Sequence, residues 1–150
     1  MASTWRSDGA LAGGLRLGVR FIDLFSIEFI GHLAYSTVDQ RTLAYFGLGG
    51  TLYGRLGPVR PFARIALVHQ HEETVAALKQ DAGGALLGIG DGIRHRGGFS
   101  WTLGADMPIG RRGPTQFFVG FDALASVFPD PRGPSWYFGG NGWVGLNYAL

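Results

Sequence analysis

Residues 25 to 36 read FSIEFIGHLAYS, and every second residue from Phe25 onward is apolar or glycine: Phe25, Ile27, Phe29, Gly31, Leu33, Tyr35. The other register holds Ser26, Glu28, Ile30, His32, Ala34 and Ser36. A period of two is the mark of a β-strand with unlike faces. The same period recurs along nearly the whole chain, so the fold class is all-β and the open question is which face meets which medium.

Eight runs carry this alternation: 11–21, 25–36, 42–56, a run starting at Arg60, 84–96, 99–109, 116–128 and 136–150. In FSWTLGADMPI, the residues Phe99, Trp101, Leu103, Ala105, Met107 and Ile109 oppose Ser100, Thr102, Gly104, Asp106 and Pro108. In QFFVGFDALASVF, Phe117, Val119, Phe121 and Ala123 oppose Gln116, Phe118, Gly120 and Asp122. Turn-rich pieces such as RLGPVRP, RHRGG, GRRGP and FPDPRGP separate the runs. Their length, about 11 to 15 residues, exceeds the ~5–6 usual in soluble sheets and suits tilted strands that cross a bilayer, which need ~9–11. Only ETVAALKQDA, residues 73–82, has helical character, as a short helix or a loop.

Composition bears on the medium. Only 16% of residues are charged and 13% are aromatic, while 26 of 150 are glycine. A soluble domain carries ~25% charged residues, so this chain has too few to cover itself in water. The basic residues are scattered and the net charge is +2, which speaks against nucleic acid as a partner. There are no cysteines, hence no disulfide or thiolate chemistry. No apolar run reaches the ~18 residues of a spanning helix. MASTWRSDGA lacks the apolar centre of a signal peptide, so the chain reads as a mature form.

The polar register collects Arg16, Arg20, Glu28, His32, Arg55, Arg64, Arg94, Arg96, Asp106 and Asp122, interleaved with glycines that leave room for large side chains. In an eight-stranded barrel these groups would fill a narrow interior and neutralise one another. The apolar register is nearly free of charge, and Phe25, Ile27, Phe29, Leu33, Trp101, Leu103, Phe117, Phe121, Leu146 and Tyr148 are its expected lipid-facing members. Asp91 breaks that register, and a bulge near Gly90 and Gly92 would turn it inward. The expectation is an eight-stranded antiparallel up-and-down transmembrane β-barrel with a polar, side-chain-filled interior, one domain over 1–150 with a short tail at about 1–9. A soluble barrel binding an apolar ligand, with the faces inverted, is the alternative.

GPVRPFARIALVHQH, LLGIGDGIRHRGGFSWTLGADM and the closing GWVGLNYAL together resemble the small eight-stranded outer-membrane barrels of Gram-negative bacteria, the group of outer membrane proteins A and X and the lipid A deacylase barrels. That resemblance implies the bacterial outer membrane, contact with membrane lipid or lipopolysaccharide, and delivery by the barrel assembly machinery. It departs at Leu150, where a terminal Phe is usual. Tight turns at 22–25, 56–61 and 95–99 are similar to periplasmic turns, and 36–42 and 70–84 to outer loops, which with eight strands puts both chain ends outside. The deacylase branch implies a His-x-Ser-Asn motif on a late strand, and TLGADMPIG has neither His nor Ser, so no catalytic residue is assigned.

His69, His71, Glu72 and Glu73 in HQHEE hold metal-binding and acid–base side chains, but read as a polar loop at the barrel rim. Glu28 and His32 read as an interior hydrogen-bonded pair. No metal or cofactor is expected. The expected role is structural or interactive: display of surface loops, contact with lipopolysaccharide or a partner, or a very narrow pore. A lipid-modifying hydrolase is the alternative from another class.

Overall fold

A computed structural model describes residues 10–36, 41–110, 114–129 and 136–149. Its strands are β1 (Ala10–Ile22), β2 (Phe25–Ser36), β3 (Arg41–Tyr53), β4 (Arg60–Thr74), β5 (Arg94–Ile109), β6 (Thr115–Val127) and β7 (Trp136–Ala149). Two short helices, α1 (Val75–Gln80) and α2 (Ala82–Leu86), lie between β4 and β5. Each strand pairs with the next in antiparallel fashion, and β1 closes on β7 to complete a barrel.

Among the described residues the barrel has seven strands, not eight. The run 84–96 is not a strand: it begins in α2, passes through a turn, and enters β5 only at Arg94. The physical reason lies in its glycines. Gly88, Gly90 and Gly92 produce the two-residue rhythm, yet their φ angles are 74°, 138° and 80°, which an extended strand does not contain. Thr74 and Asp81 then start the helices, their side chains accepting from the backbone N–H of Ala77 at 3.3 Å and of Gly84 at 2.9 Å. Asp91 is exposed in the turn and does not face inward. Residues 95–99, expected as a tight turn, lie within the 16-residue β5 and pair with Leu67–His71 of β4.

An odd strand count has two consequences. The closing ladder is parallel, from Gly13↔Gly142 to Arg20↔Ala149, so the barrel is not antiparallel throughout. The first and last strands also run the same way, so Ala10 and Ala149 sit at opposite ends, not both at the loop end. One end carries the tight connections β1–β2 and β3–β4, the latter turned by Gly57 at φ 62°. The other carries α1 and α2. The expected loop residues 37–40, the expected tail 1–9 and the terminal Leu150 lie outside the described residues.

The pleat sorts side chains cleanly. Glu28, Thr51, Arg64, Asp106 and Asp122 point inward and are buried. Leu48, Ile65, Leu67, Leu103, Phe117 and Phe121 point outward and are exposed. Two apolar clusters share the interior: Ile30, Tyr45, Ala66, Val68 and Phe128, and separately Tyr53, Phe62, Phe118 and Trp143. Inward glycines make way for these rings. A Cβ on Gly120 would collide with Trp143, and one on Gly145 with Phe118. The room at these two positions is taken by the large side chains of Trp143 and Phe118.

Candidate functional site: a charged interior and an outer histidine cluster

Charge crosses the lumen in an unbroken chain. Arg60 Nε lies 2.5 Å from Asp106 Oδ1, and Arg16 Nη2 2.8 Å from Asp106 Oδ2. Arg16 Nε and Arg64 Nη1 approach Glu28 Oε2 at 3.4 and 3.5 Å. Arg64 Nη2 reaches Asp122 Oδ2 at 3.1 Å, and Asn141 donates to Asp122 Oδ1 at 2.9 Å. Glu28 also accepts from Ser26 at 2.6 Å, from Thr51 at 2.7 Å and from the Tyr53 hydroxyl. All seven strands therefore supply a member. The Arg16 guanidinium is packed between rings as well, 3.7 Å from the Trp143 centroid and 4.6 Å from that of Phe118. Arg16 is 1% exposed and Glu28 0%, so at this level the lumen is filled.

A second group sits nearer the helical end. Glu72 faces Arg96 at 3.1 Å, Arg94 at 3.2 Å and Arg41 at 3.7 Å, and accepts from Tyr137 at 2.8 Å. Half-buried Arg20 lies over the Tyr53 ring at 4.9 Å. Thus Arg16, Arg20, Glu28, Arg64, Arg94, Arg96, Asp106 and Asp122 are brought to the interior or its mouths. Arg55 is not. It lies past the end of β3, where in–out alternation stops, and pairs with Asp23 in the open. His32 is buried as expected but stacks on Tyr45 at 5.5 Å and makes no hydrogen bond to Glu28. Four strand residues separate the two by ~13 Å along β2, too far for a pair.

The outer wall holds Ile27, Phe29, Leu33, Trp101, Leu103, Phe117, Phe121 and Tyr148 exposed, with Phe25 and Leu146 half-buried by neighbours. Leu17, Val19, Ile27, Phe29, Leu48, Leu146 and Tyr148 line a shallow apolar groove on it.

On the same wall, towards the helical end, the apolar belt gives way to histidine. HQHEE is not a loop; it is the end of β4. His69 and His71 are outward positions of one strand, and the β4–β5 register sets His95 directly opposite His71. His69 Nε2 lies 3.2 Å from His95 Nδ1, and the His71 ring centroid is 4.7 Å from each of the other two. One ring nitrogen from each comes within 4.8 Å of the others. Phe46 meets the His71 ring edge-on, and Gly88 packs against that ring so closely that a Cβ there would overlap it. Glu72 points to the interior instead, while Glu73 is buried beside the cluster, accepting from Thr42 at 3.3 Å. His95 is hidden in the sequence because RHRGG has the composition of a turn; only the pairing of residues 94–96 with residues 70–72 sets the third ring opposite His71.

Comparison with protein-family models, with curated proteins and with solved structures finds no match to this chain.

Proposed function

We propose that the chain is an outer-membrane β-barrel of Gram-negative type with a structural or interaction role. The observation that carries this reading is the inversion of the usual arrangement. Phe121 and Leu103 are each 69% exposed on the outer wall, while Arg16, Glu28 and Asp106 are shut inside. In water this wall would be an apolar surface running round the barrel, well beyond the few hundred Å² that soluble monomers leave open. Against hydrocarbon it is the expected surface, and the closed barrel satisfies backbone hydrogen bonds without an edge. Phe25, Ile27, Phe29, Leu33, Trp101, Leu103, Phe117, Phe121, Leu146 and Tyr148 are then the lipid contacts.

The filled lumen favours an anchor over a general porin. Arg41 and Arg94 at the helical end stay partly exposed and suit contact with lipopolysaccharide phosphates. For the hydrolase alternative a serine beside His69 or His71 would be needed. Among the described residues, those rings meet each other, His95, Phe46 and Gly88.

Refolding into detergent or vesicles tests the reading. A β-type circular dichroism spectrum with faster gel migration of unheated samples is expected. A monodisperse, detergent-free soluble protein would refute it.

A further inference from the structure

We propose that His69, His71 and His95 form a three-histidine site for a borderline divalent metal of the zinc class, on the outer wall at the helical end of the barrel. The donor set is all imidazole, which suits Zn²⁺, Co²⁺ and Ni²⁺ and is poor for Ca²⁺ or Mg²⁺. Zinc–nitrogen bonds of ~2.0–2.1 Å in a tetrahedron hold their nitrogens ~3.3 Å apart. His69 and His95 already stand at 3.2 Å, and small side-chain rotations bring in the third nitrogen from within 4.8 Å.

A second observation points to a ligand. His71 is only 5% exposed, and its Nδ1 is buried without a hydrogen-bond partner. Leaving a polar atom so placed costs free energy that a partner would recover. The fit is also pre-set. Two ligands share one strand, the third is fixed across a ladder, and Gly88 and Phe46 hold the His71 ring from two sides. Glu73, within electrostatic reach of His95, has a buried oxygen with no hydrogen-bond donor and suits the carboxylate support that metal-bound imidazoles recruit. Three protein ligands leave a fourth position for water or another oxygen donor. A metal there would tie β4 to β5 where the barrel wall meets the helices.

The test is metal binding by the folded full chain in detergent, with Co²⁺ as a coloured probe and Zn²⁺ as competitor. The expected result is one equivalent of Co²⁺ at micromolar concentration, with intense visible bands of tetrahedral cobalt that Zn²⁺ abolishes. His95→Gln, at an exposed position, should fold normally yet weaken binding by more than ~100-fold, since even losing a supporting contact costs 10–100-fold. Diethylpyrocarbonate with and without Zn²⁺ gives an independent readout: the metal should protect His69 and His95, the two exposed members of the trio. Wild-type protein without the tetrahedral spectrum, or His95→Gln binding as well as wild type, would overturn the site. None of these readouts depends on the membrane reading.

Discussion

Arg16 and Leu17 are adjacent in the chain and meet opposite surroundings. Arg16 is sealed among Asp106, Glu28 and three aromatic rings, while Leu17 is exposed on the outer wall. The interior is closed and holds the charged network together with two apolar clusters, the exterior is apolar and open, and the pleat separates them by one residue. Soluble barrels keep the apolar side for the core. Here the closed side is held by ion pairs between strands, and the open side needs a medium that tolerates leucine and phenylalanine. The two regions should therefore answer mutation in opposite ways.

The largest effect is expected inside. Glu28→Leu removes the acceptor for Ser26, Thr51 and Tyr53 and leaves Arg16 and Arg64 short of a counter-charge. Breaking a buried pair on one side costs ~3–5 kcal/mol. Denaturant titration of tryptophan emission should show it, and a change under 1 kcal/mol would mean the network is decorative.

Outside, Leu103→Arg should cost ~2–4 kcal/mol if the wall meets hydrocarbon near mid-bilayer. In bulk water a substitution at so exposed a position stays within ~0.5 kcal/mol. Comparing unfolding of this variant with wild type in vesicles separates the two media. The smallest effect belongs to Arg55→Ala. Its partner Asp23 is exposed like itself, and such pairs are worth ~0–1 kcal/mol and less in salt. A loss comparable to that at Glu28 would place Arg55 back in the interior network.

The sequence shows the in–out sorting wherever side chains of unlike polarity alternate, as in Ser26, Ile27, Glu28, Phe29. It misleads where glycine makes the pattern. Gly88, Gly90 and Gly92 mimic a strand face, but glycine is equally at home at positive φ, and hydropathy does not record φ. One false strand then altered the parity of the barrel, the direction of its closing ladder and the placement of its ends. The histidine cluster is hidden for a different reason: His95 lies 24 positions from His71 in the chain, and only strand register brings them face to face. The aromatic partners of Arg16 share that difficulty, because Phe62, Phe118 and Trp143 come from three strands.

Tryptophan itself tests the central claim most directly. Trp101 is exposed on the outer wall, whereas Trp143 is buried in the lumen against Arg16. Variants keeping one or the other of these as sole tryptophan can be refolded into vesicles of lipids brominated along their acyl chains, with plain lipids as reference. Strong quenching of Trp101 and little of Trp143 is the predicted result. Equal emission from Trp101 in both kinds of vesicle would contradict it.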